Sequence, residues 1–258
     1  MILEAQQLRF SYGTLPVLQG IDMTIRPGIT AILGPNAAGK STLFRCLSGL
    51  LRPSGEIRLD HRDIQSFSPD ERTQAVSYLP QNIFSHAVLT VFEAVLLGRA
   101  HKLGWHVSNE DAELVESLLA DFGIADLSGR YITELSGGQA QLVSIAQALA
   151  RQPMVLLLDE PNTSLDLQHQ FEICGRIRAM TLARGLSTAI SVHDINMAAR
   201  IADVVYIMER GQIRCSGTPR EVLTREMIRS VYGVEAQVTH DPEGRPFITP
   251  MGLVKKEA

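Results

Sequence analysis

An apolar pentapeptide, Ile29–Leu33, runs straight into Gly34-Pro35-Asn36-Ala37-Ala38-Gly39-Lys40-Ser41-Thr42, and a helical pattern starts at Lys40. No other stretch constrains the fold as tightly. The pattern G-x-x-x-x-G-K-[ST] requires a buried strand behind it, a helix in front, and glycines where the backbone must turn and approach a ligand closely. In that setting the loop N–H groups converge on phosphate oxygens, and the helix N-terminus adds a favourable dipole. Lys40 supplies a cation for the β- and γ-phosphates. Ser41 offers a hydroxyl to Mg²⁺, and Thr42 sits one residue along at the phosphate end. The bland alternative is a glycine-rich turn before an ordinary helix, and the features downstream argue against it.

Around this point the chain alternates. Ile2–Phe10 and Ile21–Ile25 predict strands, Pro27-Gly28 a turn, and Ile29–Leu33 a buried strand. The helix from Lys40 is expected to reach about Leu51 and stop at Arg52-Pro53-Ser54-Gly55, with strands at Glu56–Asp60 and Val76–Leu79. From about residue 84 the pattern turns helical. Thr90–Arg99 is one helix. Ser108-Asn109-Glu110-Asp111 opens another with a capping-box pattern, closed by Gly123, and a third spans Ser136 to Arg151. Alternation then resumes with strand Met154–Leu158, helix Gln168–Arg184, strand Ser187–Val192 and helix Asp194–Ile201. Strands Val204–Met208 and Gln212–Cys215 and a helix capped at Thr218 follow, and Asp241–Pro246 reads as a turn between two short extended pieces. The expected architecture is an α/β nucleotide core with a helical insertion at about 84–150.

Val155-Leu156-Leu157-Leu158-Asp159-Glu160 is an apolar strand ending in two acids. Ligands in parallel sheets bind at the carboxyl ends of strands. Asp159 can hold Mg²⁺ through water, and Glu160 can orient and deprotonate an attacking water. Composition narrows the partners. A net charge of −4 over 258 residues leaves no basic footprint for nucleic acid. The start lacks the basic and apolar segments of a signal peptide. No apolar run approaches the roughly 18 residues that cross a bilayer, so any membrane crossing is expected from other subunits. The three cysteines, Cys46, Cys174 and Cys215, form no metal or redox spacing and read as small neutral positions. His61, His86, His101, His106, His169 and His240 likewise show no ligand spacing.

Leu135-Ser136-Gly137-Gly138-Gln139 is the more specific motif. A serine and two glycines at a helix start expose O–H and N–H donors with no side-chain cover, an arrangement that suits an anion. Taken in order, the motifs resemble an ATP-binding-cassette (ABC) ATPase over nearly the whole chain. Tyr12 falls where the family stacks adenine, and residues 34–42 match the phosphate loop. Gln81 matches the glutamine that reaches Mg²⁺ and senses the transmembrane partner, and LSGGQ is the family signature. Asp159-Glu160-Pro161 matches the acidic strand end, and Ser164-Leu165-Asp166 the loop that crosses to the other subunit. His193 matches the histidine that contacts the γ-phosphate.

The resemblance implies a P-loop NTPase core of the ABC ATPase type, with an antiparallel β subdomain and an inserted α-helical subdomain. It implies an ATPase domain over 1–235 and a tail over 236–258. It implies ATP and Mg²⁺ as ligands, with Ser41, Gln81 and Asp159 serving the metal and Glu160, His193 and Gln81 the chemistry. It implies a homodimer in which Ser136, Gly137, Gly138 and Gln139 of one copy meet the γ-phosphate bound by the other. Two transmembrane permease subunits and a substrate-binding protein complete the implied assembly, with this subunit peripheral on the cytoplasmic face of the membrane. The runs Thr90–Arg99, Leu165–Gln170 and His193–Ala198, together with the tail, look like the branch serving ferric siderophore, haem and cobalamin uptake. The 84–105 region is the expected coupling surface.

Two rivals remain: a soluble cassette ATPase of the iron–sulfur assembly type, and an exporter ATPase. A neighbouring permease gene or co-purification from membranes discriminates against the first, and the features around Asn196 and the tail weigh against the second. Three positions depart from the family pattern. Ala37 stands where glycine is common, Ala140 where a basic residue is usual, and Asn162 where threonine is commoner. If position 37 requires a positive φ, its Cβ costs about 1–2 kcal/mol.

Overall fold

The central strands β3, β7 and β8 are buried almost throughout, and their successive side chains point to opposite faces of the sheet. Ile29, Ala31 and Leu33 enter one apolar cluster and Ile32 the other; Leu156 and Leu158 oppose Val155 and Leu157 in the same way. One sheet therefore separates two cores. The computed structural model describes residues 1–81, 88–99, 107–162 and 165–254.

In chain order the named elements are β1 (Leu3–Tyr12), β2 (Leu15–Ile25), β3 (Gly28–Leu33), α1 (Lys40–Leu47), β4 (Ser54–Leu59), β5 (Arg62–Asp63), α2 (Pro69–Ala75) and β6 (Val76–Leu79). Next come α3 (Val91–Leu96), α4 (Asn109–Asp121), α5 (Gly137–Ala150), β7 (Val155–Asp159), α6 (Leu167–Arg184), β8 (Ser187–Ser191), α7 (Ile195–Ile201), β9 (Val204–Glu209) and β10 (Gln212–Gly217). The chain closes with α8 (Pro219–Val222), α9 (Arg225–Met227), a π-turn over Ile228–Tyr232, β11 (Val234–His240) and β12 (Pro246–Leu253).

The central sheet has six strands in the order β10-β9-β3-β8-β7-β6. All its pairings are parallel except β10 against β9. A four-stranded antiparallel sheet, β2-β1-β4-β5, shares the second core with α1. Helices α3, α4 and α5 pack on one another and join the first core. The fold is thus the expected mixed α/β cassette with an antiparallel sheet and a helical layer.

Several element ends differ from the sequence reading. Helix α1 stops at Leu47 because Gly49 adopts a φ of 77° just beyond its Ser48 cap. Strand β2 starts at Leu15, since β1 continues to Tyr12 and pairs with it to the end. Helix α2 carries no hydrophobic period, and only its Ala75 is buried. It is specified instead by Ser68 and Glu71 in a capping box with Pro69 at the first turn. In α4 the expected box is half made. Ser108 Oγ accepts from the Asp111 N–H at 3.1 Å, but the Asp111 carboxylate receives the Ser108 hydroxyl and the Arg99 guanidinium at 2.8 and 2.7 Å. Burial pushes the Cys46 and Cys174 thiols up to about 12, which leaves them inert at neutral pH.

Candidate active site

The phosphate loop is set by what lies behind it. Gly34 has a φ of 152°, and a Cβ there would strike the Met208 carbonyl at the end of β9. The first glycine is therefore fixed by backbone crowding. Asn36 and Ala37 are exposed, Pro35 and Gly39 half-buried, and Ala38 buried in the second core. Gly39 caps α1 in a left-handed conformation, which turns the first helical N–H groups toward the loop. Ser41 is exposed and Thr42 buried beneath it. Lys40 is only 5% exposed, and its Nζ donates to the carbonyls of Gly34 and Pro35 at 2.8 and 3.2 Å. Desolvation lowers its pKa, while the nearby charges of Glu160 and Asp159 pull the other way.

The acids come from the end of β7. Asp159 is buried at 4% exposure, and its Oδ1 accepts the Ser191 hydroxyl at 2.7 Å, from the residue paired with it on β8. The Tyr78 hydroxyl on β6 donates to its Oδ2 at 3.3 Å. Glu160 follows at a φ of 52°, a strained value for a side chain with a Cβ. Its N–H is held by the Ser191 carbonyl at 3.2 Å and hydroxyl at 3.0 Å. Its carboxylate takes the Gln81 Nε2–H at 2.9 Å and lies 2.6 Å from His193 Nε2. Gln81, Glu160 and His193 thus share one carboxylate, within electrostatic reach of Lys40. Gln81, Asp159, Glu160 and His193 leave from the carboxyl ends of β6, β7 and β8, and the phosphate loop leaves from β3; these four strands are adjacent in the sheet.

The donors expected for a divalent cation are hard oxygens: the Ser41 hydroxyl, the Gln81 amide oxygen and the Asp159 carboxylate. Gln81 spends its N–H on Glu160 and keeps its carbonyl oxygen. Among the described residues no cluster of three or more His, Cys, Asp or Glu could cage a metal. The set suits Mg²⁺, which keeps waters and substrate phosphates in its shell, and does not suit zinc.

Tyr12 is 46% exposed, braced edge-on by Phe10 at 5.0 Å. A free aromatic face at that position can stack a base. The Arg45 guanidinium of α1 lies near the Tyr78 and Tyr12 hydroxyls, whose interaction with it raises its pKa. It links that face to the carboxylate end of the site.

The signature segment is elsewhere. Ser136 caps α5 and accepts the Gln139 N–H at 3.3 Å, while Gln139 Oε1 accepts the Ser136 N–H at 3.0 Å. The Ser136 O–H proton is left to donate outward. Ser136 and Gly137 are exposed, and Gly138 is buried under His169, whose ring carbon lies 2.6 Å from where a Cβ would be. His169 is fixed by Asp166, which accepts its N–H at 2.9 Å and contacts its Nδ1 at 2.7 Å. Leu165 is the side chain that a Cβ on Gly137 would meet, at 3.7 Å, and Ser164 lies outside the described residues. Among the described residues no hydrogen bond or ion pair joins the signature to the phosphate loop. The sequence reading did not single out Ser191, Tyr78, Arg45 or a packing role for His169. None carries a motif signal; each is identified by the strand or helix opposite it.

A sequence profile of the family described as "ABC transporter" matches residues 18–163. The chain is 36% identical over 255 residues to the ferric enterobactin transport ATP-binding protein of Escherichia coli, covering 97% of this chain and 94% of that one. It is 38% identical over 264 residues to the hemin import ATP-binding protein of Bradyrhizobium diazoefficiens, covering 98% and 96%. Among solved structures it is similar to a metal-chelate type ABC transporter in an inward-facing conformation, with a TM-score of 0.83, 26% identity and coverage of 96% and 97%.

Proposed function

The chain belongs to the ABC transporter family of ATP-binding proteins, and on that premise we propose that it powers import of an iron chelate, a ferric siderophore or haem, or of a related metal complex such as cobalamin. It is an ATPase. It works as a homodimer on two transmembrane permease subunits, at the cytoplasmic face of the membrane, with a substrate-binding protein delivering the cargo. No helix among the described residues is long and apolar enough to cross a membrane, in keeping with separate permease subunits. The names of the relatives support the cargo class; the chain's own residues do not touch cargo.

The observation that carries the mechanism is the convergence of Gln81 and His193 on Glu160, at 2.9 and 2.6 Å, beside the buried Lys40. ATP lies with its phosphates on residues 34–42 and its adenine on Tyr12. When Mg²⁺ is bound it neutralises charge on the β- and γ-phosphates. Ser41, Gln81 and Asp159 would be its protein donors. Glu160 takes a proton from water as the water oxygen bonds to the γ-phosphorus and the bond to the β–γ bridging oxygen breaks, leaving ADP and phosphate. His193 steadies the γ-phosphate. Ser136, Gly137, Gly138 and Gln139 serve the nucleotide on the partner copy, with Ser164, Leu165 and Asp166 crossing between subunits.

Glu160→Gln keeps size and shape but removes the base. Turnover should fall about a hundredfold or more, with ATP binding retained and ATP-bound dimers accumulating on size exclusion. Wild-type-like hydrolysis in that variant would sink the assignment. A groove of about 370 Å³ is lined by Leu50, Tyr78, Pro80, Gln147 and Arg151, and Pro80 directly precedes Gln81 in the chain. With the exposed Val88 and Leu97, we assign it to the permease; residues 84–87 and 100–105 of the expected coupling surface lie outside the described residues. The cargo class is tested by uptake of labelled ferric siderophore, haem and cobalamin in a deletion strain. Normal uptake of all of them would exclude it.

A further inference from the structure

The C-terminal hairpin of β11 and β12 is tied to the helix that follows His193. The Asn196 side chain on α7 donates its Nδ2–H to the Ile248 carbonyl at 3.0 Å and accepts the Ile248 N–H on Oδ1 at 2.7 Å. The amide meets the backbone of β12 as a neighbouring strand would, using both groups of one residue. Ile248 is itself 2% exposed, anchored in the first core.

The other end of this contact is rigid too. Asp194 Oδ1 accepts the N–H groups of Asn196 and Met197 at 2.8 and 3.1 Å, closing the turn that begins at His193. These bonds fix the turn from Asp194, the residue directly after His193, into α7. A second anchor lies upstream of the hairpin. Tyr232 brings its hydroxyl to the N–H of Gly34, the first residue of the phosphate loop, and burial pushes that phenol up to about 12.

From this geometry we infer that Asn196 is a positioning residue for hydrolysis, holding His193 against Glu160 by clamping α7 to the C-terminal hairpin. The inference rests on the roles proposed above for His193 and Glu160. His193 is 46% exposed in its side chain and has little packing of its own to hold it. Its 2.6 Å contact with Glu160 depends on where the start of α7 sits. The hairpin, far along the sequence, sets that position, so displacement of the hairpin reaches the γ-phosphate end of the site. A misplacement of about 1 Å in such a group costs up to about a hundredfold in rate.

The test compares Asn196→Ala and His193→Ala with the wild-type protein, measuring kcat, KM for ATP, ATP binding and thermal denaturation. Alanine suits a helical position, so Asn196→Ala is expected to fold, and amide exchange at Ile248 reports directly whether the clamp has opened. Expected for Asn196→Ala is a fall in kcat of roughly tenfold per folded molecule with KM within about twofold, a melting point lowered by a few degrees but above the assay temperature, and faster exchange at Ile248. Unchanged kcat despite faster exchange would overturn the inference, as would a loss of kcat only in proportion to lost folded protein. If His193→Ala hydrolyses ATP like the wild type, the reading of the site fails and the clamp with it. If His193→Ala is impaired and Asn196→Ala is not, the clamp alone fails.

Discussion

Ala37 sits in the phosphate loop at a φ of 61°, a conformation that glycine adopts freely and alanine does not. The conditional cost read from the sequence therefore applies, at about 1–2 kcal/mol. Replacing the residue by glycine relieves it but frees the unfolded chain by about 0.4–1 kcal/mol. The expected balance for Ala37→Gly is a gain of roughly 0.5–1 kcal/mol, seen as a raised melting point with ATP affinity retained. A lowered melting point would mean that the loop carries no strain at this position. Glu160 has a similar conformation, at 52°, and there the surrounding bonds from Ser191 and Gln81 hold it in place. Both residues were legible as site candidates from motif position alone. Their backbone strain was not, because φ is decided by the strands and loops packed around them.

At the scale of elements, a buried ion pair pins the helical layer. Arg99 and Asp111 are 4% and 7% exposed and meet at 2.7 Å, and Arg99 also bonds the Ala150 carbonyl and Gln152 at 3.3 and 3.1 Å. The pair connects the turn after α3, the start of α4 and the end of α5. Removing one partner strands a charge out of water, so Asp111→Ala should cost about 3–5 kcal/mol in denaturant unfolding. A loss under about 1 kcal/mol would show that the pair is screened like a surface bridge. The sequence presented Asp111 as a capping residue and Arg99 as the end of a helix. Nothing in their spacing reveals that the two meet. Helix α2 teaches the same lesson from the other side. It has a cap but no apolar period, so a search for hydrophobic stripes passes over it, and Ser68, Pro69 and Glu71 alone mark its start.

For the whole molecule, the separate locations of the loop at 34–42 and the signature at 135–139, both proposed to serve phosphate, lead to a mixing experiment. Lys40→Ala disables the loop. Gly137→Asp puts a negative charge on an exposed signature position where a Cβ meets only Leu165, at an ordinary 3.7 Å. Each variant alone should be nearly inactive. If sites form across a two-fold interface, half of the randomly mixed dimers hold one intact site of two, so equal mixing should restore about a quarter of wild-type turnover. No recovery on mixing would show that loop and signature serve the same chain.

The sequence alone determined the cassette, its order of motifs and nearly all of the candidate residues. Phosphate loops, acid pairs at strand ends and helix caps are local chemistry, written in consecutive residues. Only the tertiary structure decided that β3, β8, β7 and β6 lie side by side, so that residues as distant in the chain as Gln81, Glu160 and His193 converge on one carboxylate. It also decided that the C-terminal hairpin grips the helix after His193. Strand order and long-range side-chain pairing arise from burying two faces of one sheet at once, and no spacing along the chain encodes that.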